Sequence, residues 1–89
     1  MTILEFADII DKNIIIKWHS NQNRFSAEFD DCWFKFGDTY KKYGIGNGFT
    51  PQGALNSYKD IISGKTLAFN FESETKNEQD FVVPELDDI

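Results

Sequence analysis

The chain has 89 residues, with nine Lys or Arg against fifteen Asp or Glu and a formal net charge of −6. That length makes one domain, residues 1–89, with a modest core supplied largely by nine Phe, three Tyr and two Trp. The charge disfavours nucleic acid and anionic membranes as direct partners, and the lone Cys32 excludes an internal disulfide and a cysteine zinc site.

Thr2 followed by Glu5 has capping-box spacing, and Leu4, Phe6, Ile9 and Ile10 then predict a short helix within an N-terminal unit, 1–13. Glu5, Asp8, Asp11 and Lys12 interrupt the apolar residues here, so no signal or membrane segment is expected and a cytoplasmic location follows. Ile14 to His19 reads as the first strand, with Ile14, Ile16 and Trp18 on one face and Ile15, Lys17 and His19 on the other. After a polar turn, Arg24 to Phe29 alternates with Phe25, Ala27 and Phe29 inward. Asp30 and Asp31 make a tight link to a third strand, Cys32 to Phe36, with Cys32, Phe34 and Phe36 inward and Trp33 and Lys35 outward. Gly37 and Asp38 mark a turn, and Thr39 to Tyr43 extends toward a glycine-rich loop.

The main helix is announced by Thr50 as N-cap and Pro51 at the first helical position. Ala54, Leu55, Tyr58, Ile61 and Ile62 form one apolar stripe, and Gly64 supplies a left-handed stop. Thr66 to Phe71 reads as a fourth strand with Leu67, Phe69 and Phe71 inward. Residues 72–89 then hold a charged loop, a short edge strand at Phe81 to Val83 ended by Pro84, and a frayed acidic tail. The expected fold is α+β. A single antiparallel sheet of four to five strands, meander first, occupies 14–71 with the main helix on one face and the short helix at its start.

Gly44, Gly46 and Gly48 precede a helix N-terminus, where backbone N–H groups can cradle an anion. The spacing fits neither phosphate-loop fingerprint, and a tight connection is the commoner use of such glycines. His19 is the only histidine and has no predicted nucleophile beside it; Cys32 is expected to be a small buried hydrophobe. No catalytic residues, metal or cofactor are therefore assigned, and no enzymatic activity is expected. The carboxylates fall in turns and tails, where solvation is their ordinary role. Glu28, Asp30 and Asp31 form one acidic patch, and an outward Trp33 beside Lys35 would add an apolar anchor of the kind found at interface hot spots.

The segments NQNRFSAEF, YGIGNGFTPQGALNSYKDIISGKTLAFN and FVVPEL resemble a family of small phage and prophage accessory proteins. The shared features are an aromatic-x-A-x-F strand, a glycine-rich T-P-x-x-A junction into a helix, a Y-x-x-x-I-x-G-K segment and a closing V-P. The likeness spans about residues 14–86, and the junction here carries one extra residue. It implies a phage-encoded role in the host cytoplasm and no reaction. A weaker resemblance, to HicB-type antitoxin domains, implies a sheet that binds a small basic toxin. The expected function is a non-enzymatic inhibitor of a host defence or nucleic-acid-processing protein with a basic surface, such as a CRISPR nuclease. It would be anti-CRISPR-like, with acidic imitation of nucleic acid as one route. Alternatives are a nucleotide or small-ligand module using Gly44 to Gly48, or a HicB-like antitoxin.

Overall fold

The computed structural model describes residues 1–36, 40–42, 44–70 and 78–89. Its elements are α1 (Ile3–Ile10), β1 (Ile14–His19), β2 (Arg24–Phe29), β3 (Cys32–Phe36), β4 (Tyr40–Lys42), β5 (Gly46–Gly48), α2 (Pro51–Ile62), β6 (Thr66–Phe69) and β7 (Gln79–Val82). The class is α+β, and no helix among the described residues is long and apolar enough to cross a membrane. The turn expected at Gly37 and Asp38, the arm's ends at Thr39 and Tyr43, inward Phe71 and the loop over 72–77 lie outside the described residues.

Local chemistry starts and stops both helices where the sequence implies. The Thr2 hydroxyl accepts from the Glu5 N–H at 3.3 Å while the Glu5 carboxylate accepts from the Thr2 N–H at 2.9 Å. At α2 the Thr50 hydroxyl accepts from the Gly53 N–H at 2.9 Å, and Gly64 carries the chain away at φ 74°.

The strands form two sheets, not one. The first runs β1-β2-β5 and the second β4-β3-β6-β7, all neighbours antiparallel. The expected meander ends after β2, because β5 takes the edge of β2 that β3 was to occupy. The glycine stretch is thus a strand: Ala27 pairs with Gly46 and Phe25 with Gly48. Gly46 and Gly48 also lie flat on α2. A methyl group at Gly46 would overlap the Tyr58 backbone nitrogen, and one at Gly48 the Ala54 nitrogen. These glycines permit strand and helix backbones to meet with no side chain between them.

The core fills the space between the two sheets and α2. Phe29 makes edge-to-face contacts with Phe6 of α1, Tyr58 of α2 and Phe69 of β6. Cys32 and Phe34 face Phe69 and Leu67 across the β3–β6 ladder, all four buried. Of the residues expected inward, Phe25 and Ile61 pack partly buried at the margin. Phe36 does not go in: it is 43% exposed, because the β3–β6 ladder stops at Lys35 and Thr66.

The C-terminal tail is docked, not frayed. Val83 and Leu86 are buried, and the Leu86 N–H donates to the Ser63 hydroxyl at 3.2 Å. The Met1 ammonium binds Asp87 at 2.8 Å, and Asp88 pairs with the nearly buried Lys59. The Ile89 N–H reaches the Asn56 side chain at 2.8 Å.

Ile62→Ala should lower the unfolding free energy by about 2–5 kcal/mol in urea titration. Gly46→Ala should cost about 1–3 kcal/mol or more, since the methyl group meets backbone that cannot step aside.

Candidate functional site

Three turns converge at one end of the molecule. Asp11 ends α1 in the left-handed conformation (φ 55°), its N–H shared between the carbonyls of Ala7 and Asp8. Asp31 closes the β2–β3 link at φ 52°, and Asn70 leaves β6 at φ 62°. Asp and Asn are the side-chain-bearing residues that tolerate this conformation best, so the turn chemistry itself puts polar groups here. The Asp30 N–H donates to the Asn13 carbonyl at 3.0 Å, tying the β2–β3 turn to the α1–β1 turn.

The result is an open cavity of about 260 Å³ lined by Asp11, Lys12, Asn13, Asp30, Asp31, Phe69 and Asn70. Its one cation is partly occupied, since the Lys12 ammonium sits 5.1 Å from the centre of the Phe69 ring. The carboxylates of Asp11, Asp30 and Asp31 form no ion pair among the described residues. Several other acidic groups among the described residues are already used. Glu78 and Asp80 hold Lys35, Asp60 and Asp88 hold Lys59, and Asp87 holds the N-terminus. Three free carboxylates around an open cavity can accept hydrogen bonds from a guanidinium or an ammonium group.

The residues predicted as one partner surface are divided between the acidic end of β2 and the outer face of β3. Asp30 and Asp31 lie at the cavity. Glu28 is on the face of β2 turned away from α2, half-buried, and loss of hydration pushes its carboxyl above the usual range. Trp33 and Lys35 are on the face of β3 turned away from the core. Trp33, expected to stand outward as an anchor, is half-buried opposite the fully buried Ala68. Lys35 is held by Asp80 and Glu78, and these hydrogen bonds raise its pKa. They part because β3 leaves the first sheet, which alternation along one strand cannot reveal.

The glycine stretch, weighed as an anion cradle or a tight connection, makes a close backbone contact. Gly46 and Gly48 are spent on the contact with α2, the Asn47 N–H donates to the Ser57 hydroxyl at 3.1 Å, and Thr50 satisfies the first turn of α2. A methyl group at Gly44 would run into the Phe34 ring.

Sequence reasoning missed the more exposed tryptophan. Trp18 is 51% exposed and packs at a tilt against Phe25, ring centres 4.8 Å apart, with Ile16 41% exposed. Both lie on the α2 side of the first sheet, but α2 covers β5 and β2 and leaves the Ile16–Trp18 part of β1 uncovered. The apolar alternation Ile14-Ile16-Trp18 was visible; how far the helix reached was not.

His19 and Cys32 sit apart. The His19 Nε2 and Ser26 Oγ are 2.7 Å from each other on the face of the first sheet away from the core. Cys32 is buried beneath Tyr58, whose hydroxyl is 3.9 Å from its sulfur, and burial pushes the thiol up to about 12. Comparison with protein-family models, curated proteins and solved structures gives no match to this chain.

Cys32 should therefore resist a disulfide reagent such as DTNB at pH 8 in the folded protein and react fully in denaturant, as followed by absorbance. Tyr58→Phe should cost about 1–3 kcal/mol in urea titration, because the buried Phe29 N–H, which donates to the Tyr58 hydroxyl at 3.2 Å, loses its acceptor.

Proposed function

We propose that this protein is a non-enzymatic, phage-encoded inhibitor that docks on a basic surface of a host defence or nucleic-acid-processing protein. The observation that carries this reading is the trio of free carboxylates, Asp11, Asp30 and Asp31, around the open cavity where three turns meet. An arginine or lysine of the partner enters that cavity and is bound by charge-assisted hydrogen bonds. The net charge of −6 speeds the encounter with a basic surface. The phage origin rests on the likeness of residues 14–86 to small phage accessory proteins.

Two features argue against catalysis as the role. The only histidine is engaged with Ser26 on a face away from the core, and the only cysteine is a neutral buried thiol. Neither is placed to activate the other. The nucleotide-binding alternative loses its footing because Gly46 and Gly48 are consumed in packing.

Capture of host proteins on the immobilised chain, followed by binding kinetics with the partner so found, tests the reading. Asp30→Lys with Asp31→Asn should cut the association rate at least tenfold at low salt and leave the melting temperature within a few degrees, since both residues are exposed and Asn keeps the left-handed turn at position 31. Raising salt from about 50 to 200 mM should weaken wild-type binding. Partner binding unchanged by both the charge substitutions and salt would exclude the carboxylate trio as the docking site.

A further inference from the structure

The partly bare strand β1 carries more than an exposed tryptophan. It is the outer strand of the first sheet, six residues long and free of proline, and it pairs only with β2 among the described residues. Its outer edge therefore offers a row of backbone donors and acceptors without a ladder partner. On the α2 side, Ile16 and Trp18 lie uncovered at that same edge. The other outer strands are shorter: β4 and β5 have three residues each, and β7 has four.

We propose that β1 pairs with β1 of a second copy of this chain, antiparallel about a two-fold axis at Ile16, to make one six-stranded sheet. Three observations select a second copy. The first is register. A strand that pairs with itself must keep the same faces together, so only even sums of residue numbers are allowed. Centring on Lys17 opposes two ammonium groups, and centring on Ile15 opposes Trp18 to Lys12. Centring on Ile16 sets Ile16 against Ile16 of the second copy and Ile14 against Trp18 of the second copy, apolar on apolar throughout the α2 side. Across the other face it sets Ile15 against Lys17 of the second copy, with no like charges opposed.

The second observation is charge. β1 starts beside the acidic cavity of Asp11, Asp30 and Asp31 and ends at Lys17 and His19, with Arg24 paired to His19 on β2. Antiparallel pairing brings the acidic end of each copy beside the basic end of the other, twice. The third is shape. Because α2 lies over β5 and β2, the two α2 helices of the pair stand apart on the same side of the joined sheet. Nothing on either helix obstructs the seam, and Ile16 and Trp18 of both copies form its floor.

Pairing is tested on the purified chain with no host protein present, so its failure and that of the host-docking reading are distinguishable. Sedimentation of the purified chain alone, up to about 1 mM, tests it. Wild type should reach twice 10.3 kDa. Ile16→Lys and Ile16→Glu, each alone, should sediment as monomers with unchanged circular dichroism, since like charges then face each other about 5 Å apart. An equimolar mixture of the two should recover the dimer. Val82→Lys, at the exposed edge strand β7, should leave the dimer intact. As a milder variant, Ile16→Cys should crosslink to itself under gentle oxidation while Ile15→Cys should not. A wild-type chain that stays monomeric overturns the proposal and leaves the edge to a strand of another protein. A dimer that survives Ile16→Lys, or a mixture that stays monomeric, overturns it as well.

Discussion

The contact on which the architecture depends is the backbone-to-backbone seat of β5 on α2. Gly46 and Gly48 have no side chains to hold the two elements apart, so the strand lies on the helix at Ala54 and Tyr58 while its edge pairs with β2. A strand has two edges. With β1 on one and β5 on the other, β2 has no room for β3, and the chain must turn out at Asp30 and Asp31 into a second sheet. The two-sheet division, the position of the turn and the placement of polar groups around it all follow from that choice of neighbour.

Phe29 is where the divided parts are rejoined. It stands at the end of β2, just before the chain changes sheets, and its ring meets an aromatic ring from α1, from α2 and from β6. The Tyr58 hydroxyl accepts the Phe29 N–H, which has reached the end of its own ladder. Burial of the phenol moves its ionisation upward, against the opposing effect of the Phe29 N–H, so the phenol stays protonated while it serves as acceptor. The same hydroxyl lies against the Cys32 sulfur, which closes the second sheet onto the helix. One aromatic hub thus fixes the relation of both helices to both sheets.

The negative charge is not spread evenly in its effect. Much of the acidic C-terminal region is spent within the molecule, binding Lys35, Lys59 and the N-terminus. Two of the three cavity carboxylates, Asp11 and Asp31, stand where the turns demand left-handed backbone, because Asp meets that demand at low cost. The acidic cavity is therefore partly a by-product of turn geometry. The partly bare strand β1 arises in a similar way: a 12-residue helix placed over β5 and β2 is too narrow to shelter the whole of a third strand.

The sequence by itself determined the local elements. Thr2, Glu5 and Thr50 set the helix starts through hydrogen bonds within a few residues, Pro51 and Gly64 suit the backbone at the two ends of α2, and alternation in 24–29 and 32–36 set which side of each strand is apolar. It also singled out Asp30 and Asp31 as a turn with free charge. Only the tertiary structure decided which strands became neighbours, and with that the fate of Trp33, Trp18, the glycines and the tail. Pairing of β5 with β2 and docking of Leu86 on Ser63 at the end of α2 join residues 19 to 23 positions apart, and their energy comes from backbone ladders and buried area that no local pattern encodes. Alternation tells a residue which side it is on. It does not tell how far the helix on that side extends, and that distance left Trp18 in solvent while Trp33, read as the outward anchor, became half-buried.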